Sequence, residues 1–450
     1  MKDTDIKIVS VNIDYEDYDY RTQIKFGGNI VDKVTLLNVH VTGETKFGER
    51  AEGFGSMPLG NIWGWPSKKL TYNDTLKAMK LHAEKIMKIV SNNREYGHPV
   101  ELVCRMEKSW LKAGLEASTE LNFAETMPKL CALVTASPFD AAIHDCYGKA
   151  LEKNIYDCYG KEHMNDDISI YLDKRFKGEY LDQYTLRTPK NTMPLYHLVG
   201  AVDPLTIDDI KKPVRDGLPE ILSEWIVKDG LTHLKIKLNG DDINWDVNRV
   251  VSVEKITSET QKNLGVEDWV YSLDFNEKCK NAEYLLEFLA KVKEKSPIAL
   301  ERVQYIEQPT SRDLKSNMSN KMHKIAKIKP VVIDEALTDY ENLLLAQELG
   351  YSGVALKACK GQSNALLMAA AAQKFEMFLC VQDLTCLGAS FLHSAEIAAR
   401  IPTVAAIEGN ARQYLPPSAY EKWSDQYPET FNVVKGEIKT GVLTNPGLGH

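Results

Sequence analysis

The chain lacks the features that mark several common protein classes. Its eight cysteines form no Cys-x-x-Cys pair and no zinc-like spacing, so they read as reduced and buried rather than as a disulfide or zinc framework. No apolar run reaches the ~18–20 residues that span a bilayer, so a membrane partner is not expected. No basic block offsets the formal net charge of -8, which argues against nucleic acid. The opening MKDTDIKIVSVNIDY carries early acids and no apolar core, unlike a secretory signal, so a cytoplasmic location is expected. A phosphate-cradling glycine loop is missing too, because Gly53 and Gly55 lack a third glycine and a strand-to-helix setting.

What remains is a large globular chain. At 450 residues it exceeds one ordinary core, and 44% hydrophobic with 26% charged residues is a typical globular balance. Residues 5–50 alternate apolar and polar positions, as in KVTLLNVHVTGE, which predicts a small antiparallel sheet. The following AEGFGSMPLGNIWGWPS reads as one long loop, with Trp63 and Trp65 either covering a ligand or plugging a core. From about 70 to 160 the pattern is helical, and RTPKNTMP before Leu195 reads as a linker.

Eight short apolar runs then alternate with helical stretches: LYHLVGAV, THLKIKLNG, VYSLDFN, VQYIEQP, PVVIDEAL, GVALKAC, MFLCVQDL and VAAIEGN. That grammar implies parallel strands joined by crossovers, and eight is the number that closes a (β/α) barrel. An open doubly wound sheet is the alternative, but its usual glycine-rich first turn is absent.

Charged residues stand near the ends of these runs, where such a barrel builds its active site. Asp274, Glu307 and Asp334 lie on three consecutive runs, Lys235 and Lys237 precede them, and Lys357 follows. Singly, each acid suits a helix cap and the lysine pair suits a solvated edge. Together the acids converge on one point, and buried charges at strand ends are costly unless paired or bound to metal. Three carboxylates without histidine or cysteine suit Mg²⁺, with Mn²⁺ as a substitute. The ion would stabilise an enediolate formed when a base removes the proton beside a substrate carboxylate. Lys235 beside Lys237 would favour the neutral amine needed for that base. Cys359 and Cys386 lie close enough in sequence to touch substrate or simply to pack.

The ordered set resembles the enolase superfamily, and within it the muconate lactonizing enzyme subgroup. The resemblance rests on Lys-x-Lys (Lys235, Lys237), Asp-x-Asn (Asp274, Asn276), Glu-x-Pro (Glu307, Pro309), Asp-Glu (Asp334, Glu335) and Lys357, with the helix SPFDAAIHDCYGKALEK leading into the barrel. It implies an α/β fold: a modified TIM-like (β/α) barrel at 195–415, an N-terminal α+β capping domain at 1–190, and a tail at 416–450 returning to it. It implies Asp274, Glu307 and Asp334 as metal ligands, Lys237 as base with Lys235 tuning it, and Lys357 as acid or base on the other face. Asn276 and Glu335 would support them, and Trp63, with Trp65 and Met57, would line the pocket. A small-molecule carboxylate would be the substrate, and assembly into a homo-oligomer is expected.

Departures narrow the reaction. The histidine–aspartate dyad of the mandelate racemase subgroup is missing: the seventh run reads VQDLT, and His393 falls later in a helical stretch. Where dipeptide epimerases carry Asp-x-Asp on the eighth strand, this chain reads Ala406-Ile407-Glu408. Asp383 stands where the family often has a seventh-strand glutamate. Racemisation or epimerisation is the first expectation and a lyase, dehydratase or cycloisomerase, the second. A Schiff-base aldolase or a non-catalytic binding protein would leave the acids or the lysines unexplained.

Overall fold

A computed structural model describes residues 1–26 and 29–450. Its N-terminal part is the expected antiparallel sheet, formed by β1 (Ile6–Phe26), β2 (Asn29–Thr45) and β3 (Arg50–Pro58) in that order. The third strand corrects the sequence reading, which assigned its residues to a loop. Gly53 lies against the backbone of Ala142 and Cys146, and Gly55 against the carbonyl of Pro138, so a Cβ at either would overlap the helix packed on the sheet. The glycines therefore serve a close strand–helix approach. The loop proper starts after Pro58 and contains one helical turn, Asn61–Gly64.

Three long helices complete this part: Tyr72–Asn92, Pro99–Glu120 and Lys129–Ala150. Thr71 and Asp74 close a capping box that satisfies the first free N–H groups of the first helix. The third helix is buried on almost every side, since the sheet covers one face and the barrel another.

The eight apolar runs form β4 (Thr192–Val199), β5 (His233–Lys237), β6 (Val270–Asp274), β7 (Val303–Glu307), β8 (Val331–Ile333), β9 (Gly353–Leu356), β10 (Phe378–Val381) and β11 (Val404–Glu408). All seven neighbouring pairs are parallel, and β11 pairs with β4 to close the barrel. The first strand starts three residues before Leu195, inside the expected linker. The cause is β12 (Glu437–Lys439), which pairs antiparallel with Thr192–Pro194 and extends the strand. Tyr196, Tyr305, Val332, Ala355, Cys380 and Ala406 fill the interior as one cluster, so the barrel has a packed floor. Gly447 and Leu448 dock on the capping helices, with Leu448 N donating to Asp145 Oδ1 at 2.9 Å and Ile155 N to Gly447 O at 2.8 Å. Among the described residues, no helix is long and apolar enough to cross a membrane.

Candidate active site

The strand register sets the site. Lys237 stands opposite Asp274, and Asp274 opposite Glu307, so three strand-end charges share one level of the ladder. Asp334 follows the short β8, and Lys357 follows β9. All of them face the carboxyl end of the barrel and are buried, as are Lys235, Asn276 and Glu335. The structure thus brings together every lysine and acid that the sequence singled out for this centre. The backbone beyond the acids is unusual: Asn276, Glu277 and Gln308 adopt φ of 43°, 69° and 26° without being glycine. Such conformations persist where surrounding contacts hold them, and they cluster at functional sites.

On the second-strand side, Lys235 lies deeper than Lys237 because strand residues two apart share a face. Its Nζ is 2.9 Å from Glu307 Oε2, 2.9 Å from Glu408 Oε2 and 3.2 Å from Asp274 Oδ2. Burial would lower its pKa, but these carboxylates outweigh it and hold Lys235 well above the ordinary lysine range. Lys237 Nζ pairs with Asp274 Oδ2 and donates to Asn276 Oδ1 at 3.0 Å. Burial pushes Asp274 up, yet Lys237 and Lys235 prevail and keep it well below the usual carboxylate range. Glu307 goes the other way, because burial and the Asp274 charge together exceed the pull of Lys235.

On the sixth-strand side, Lys357 Nζ is 3.0 Å from Asp334 Oδ2 and 4.4 Å from the centre of the Trp63 ring. Trp63 Nε1 donates to Glu335 Oε1 at 3.0 Å, and Arg312, ion-paired with Glu277, donates to Trp63 O at 3.1 Å. Of the two expected uses of the Trp loop, covering the centre is the one Trp63 shows. Trp65 packs edge-on against Phe123, 6.4 Å between ring centres, and Met57 sits against the Cys386 sulfur. Burial pushes the Cys359 thiol up to about 12 and raises Cys386 well above its ordinary value, so both stay protonated and pack.

Asp383 is placed differently from a free substrate ligand. Its Oδ1 accepts from Leu384 N at 2.7 Å and Cys386 N at 2.6 Å, and its Oδ2 from Asn410 N at 2.8 Å. The carboxylate thereby ties the seventh-strand loop to the end of the eighth. His393 bonds Gln362 Oε1 at 2.8 Å within its helix layer. Sequence reasoning missed Lys360, whose Nζ is 3.1 Å from Asp334 Oδ1, and Gln382, whose amide donates to Glu307 Oε2 and to Tyr305 Oη at 3.2 Å. The Lys-x-x-Lys spacing of Lys357 and Lys360 was visible, but only a tight turn aims both at one carboxylate.

The donor set fits a hard divalent cation in its chemistry. Six buried carboxyl groups (Asp274, Glu307, Asp334, Glu335, Asp383, Glu408) stand with four buried lysines (Lys235, Lys237, Lys357, Lys360) at this end of the barrel. The buried Glu335 Oε2 accepts no hydrogen bond, and an unpaired buried acceptor favours a cation. As the side chains stand, no three acids among the described residues already form a coordination group. Lys235 Nζ lies between Asp274 and Glu307, so binding requires that ammonium to yield.

The whole fold has known counterparts. A muconate lactonizing enzyme from Pseudomonas fluorescens, complexed with muconolactone, matches with a TM-score of 0.63 at 16% identity, over 98% of this chain and 96% of that one. A dipeptide epimerase from Enterococcus faecalis V583, complexed with Mg and L-Leu-L-Tyr, gives 0.62 at 16% identity, over 98% and 99%. An N-succinyl Arg/Lys racemase from Bacillus cereus ATCC 14579 gives 0.62 at 16% identity, over 98% and 95%. No curated protein matches the sequence. A family model described as "Enolase C-terminal domain-like" matches residues 218–450, more than half of the chain. Together with the strand-end acids and lysines, this shows that the chain belongs to the enolase superfamily of enzymes, on its mandelate racemase and muconate lactonizing enzyme side.

Proposed function

We propose that this protein is a Mg²⁺-dependent racemase or epimerase that exchanges the proton on the carbon beside a substrate carboxylate. The observation that carries the reading is the placement of Lys237 and Lys357. They stand at the second and sixth strands of an eight-stranded barrel, so they face each other across its axis, each against its own acid. A carbon held between them is open to proton transfer on both faces.

Lys237 is placed to take the proton on one face, with Asp274 ready to pair with the ammonium formed. Lys357 is placed to return one on the other, and the two exchange roles in the reverse direction. Lys235, surrounded by three carboxylates, is suited to a standing positive charge rather than a carrier, one that shifts off Asp274 and Glu307 when the ion binds. Asp274, Glu307 and Asp334 would hold the divalent ion, with Mn²⁺ able to replace Mg²⁺. When bound it would supply Lewis-acid stabilisation of the charge that develops on the substrate carboxylate. Trp63 keeps water from Lys357. The ligands of the similar structures, a muconolactone and a dipeptide, support a small carboxylate substrate.

One observation favours a lyase as the second reading. Burial would lower the Lys357 pKa, but Asp334 outweighs it and holds the group charged above the ordinary lysine range, which suits a one-way acid. Both readings are tested by screening carboxylates with Mg²⁺ in D₂O and following the products by NMR. A racemase incorporates deuterium with inversion, and Lys237→Ala and Lys357→Ala each abolish exchange from one enantiomer. A lyase changes the carbon skeleton or its unsaturation. Full turnover in both variants, or in the presence of EDTA, would sink the proposal.

A further inference from the structure

Lys360 takes no part in the chemistry above, yet it is 2% exposed and its ammonium is aimed at the same acid as Lys357. The two grips differ. Lys357 reaches only the carboxylate, at Oδ2, with a long 3.3 Å bond to Asp383 O. Lys360 holds Asp334 twice, at the backbone carbonyl at 2.6 Å and at Oδ1 at 3.1 Å. A bond to a backbone carbonyl does not depend on the ionisation of the side chain.

The turn that aims Lys360 is fixed from the capping domain. Ala358–Lys360 form one turn of 3-10 helix, followed by Gly361 at φ 105° and the helix Gln362–Lys374. Asp140, on the buried capping helix, accepts from Ser363 N at 2.9 Å and from Ser363 Oγ at 2.9 Å. A Cβ at residue 361 would come within 2.6 Å of Asp140 Oδ2, so the left-handed turn and the carboxylate are fitted to each other. His144 holds the same Ser363 hydroxyl at 2.9 Å, and its other ring nitrogen is 2.9 Å from Tyr159 Oη. The capping helix thus reaches the catalytic centre through a buried route as well as through the Trp63 loop.

We propose that Lys360 is a positioning residue: through its bonds to the backbone carbonyl and the carboxylate it keeps Asp334 in place, and Asp140 of the capping domain holds Lys360 to that task. The use of the clamp rests on the ligand role proposed for Asp334. The clamp itself is a property of the metal-free protein and is tested there. Asp334 O also accepts from Leu337 N at 2.8 Å, and Asp334 N and Ala336 N both donate to Gln308 Oε1, so the amides of 334–338 report on this segment.

The experiment is hydrogen–deuterium exchange on the metal-free protein. Lys360→Met is expected to speed exchange at 334–338 about tenfold while 404–408 stays within about twofold, the pattern of local rather than global opening. Lys357→Met is expected to leave 334–338 within about twofold of wild type, because its grip is on the carboxylate alone. Equal effects of the two variants, or no effect of Lys360→Met, would overturn the proposal. If Lys360→Met does not fold, Asp140→Asn decides: faster exchange at 358–363 together with 334–338 supports the relay, and at 358–363 alone overturns it. Calorimetric titration with Mg²⁺ adds the link to function, with affinity in Lys360→Met expected to fall about 10–100-fold, as when a partner behind a metal ligand is removed. Wild-type protein that binds no Mg²⁺ would count against the proposed function and leave the exchange result to judge the clamp.

Discussion

The two lysine-bearing sides of the barrel mouth are built on different principles. On the second-strand side, Lys235 and Lys237 lie on one strand, with Lys237 in register with Asp274 and, through it, Glu307, and Lys235 deeper, opposite Ser272. Their positions follow from the ladder itself. On the sixth-strand side, Lys357 and Lys360 lie beyond the strand, on a turn whose shape is set by Gly361 and by Asp140 of another domain. Acids are distributed unequally as well. Lys235 has three carboxylates within 3.2 Å, whereas Lys357 and Lys360 share one. One side is over-supplied with acids, and the other depends on a single acid and a neighbouring domain. The two lysines proposed to move protons therefore work in different surroundings: Lys237 beside a surplus of carboxylates, Lys357 on one that it shares with Lys360.

The largest test of this contrast is catalytic. Lys237→Ala and Lys357→Ala should each reduce α-proton exchange by roughly 10²–10⁴-fold, measured by deuterium incorporation from D₂O. If only one of them does so from both enantiomers, the two sides are not equivalent proton carriers and the lyase reading gains.

Stability separates the sides next. Asp334→Asn strips from two buried lysines the one carboxylate that pairs with them among the described residues, and should cost about 3–5 kcal/mol in the metal-free protein. Asp274→Asn leaves Lys235 with Glu307 and Glu408, so its cost should be smaller, about 1–3 kcal/mol. Urea denaturation at neutral pH measures both, and equal costs would erase the distinction.

A pH test addresses the interdomain seam at the helix Ala389–Arg400, which follows the seventh strand. Glu396 is fully buried beside Arg400 and Asn154, and burial pushes its pKa from 4.5 to about 8, the Arg400 charge notwithstanding. Its folded-state value is raised, so its contribution to stability is complete below pH 4.5 and is lost as pH climbs through about 8. Glu396→Gln should remove that decline and exceed wild type at pH 8 by on the order of 2 kcal/mol. Denaturation midpoints between pH 5 and 8 give the answer, and parallel curves for the two proteins would count against it.

The smallest effect concerns the cover. Trp63→Phe keeps an aromatic face over Lys357 but removes the donor to Glu335, and should cost about 1 kcal/mol. A thermal melt unchanged from wild type would mean that the ring alone secures the loop.

The legibility of the molecule follows the same division. The eight barrel strands were readable because each is a short apolar run between helical connections, and strands buried on both faces need that composition. Asp274, Glu307 and Asp334 were readable because an acid at the end of such a run has no cheap place to go. The third strand of the capping sheet was not, since its glycines resemble a loop until the helix that packs on them is known. Asp383 was named for its likeness to a family position, and what the sequence did not carry is that three backbone N–H groups occupy its oxygens, since backbone geometry has no signature in the residue type.

By itself, then, the sequence determined the barrel, the strand-end acids, the two opposed lysines and the family, because burial and strand periodicity leave a local imprint on composition. Tertiary structure alone decided which acid serves which lysine, that Lys360 joins Lys357 on Asp334, and that Trp63 rather than Trp65 covers the centre. Those outcomes depend on turns and on helices from distant parts of the chain meeting at one place, where distance in space, not spacing along the chain, sets the energy.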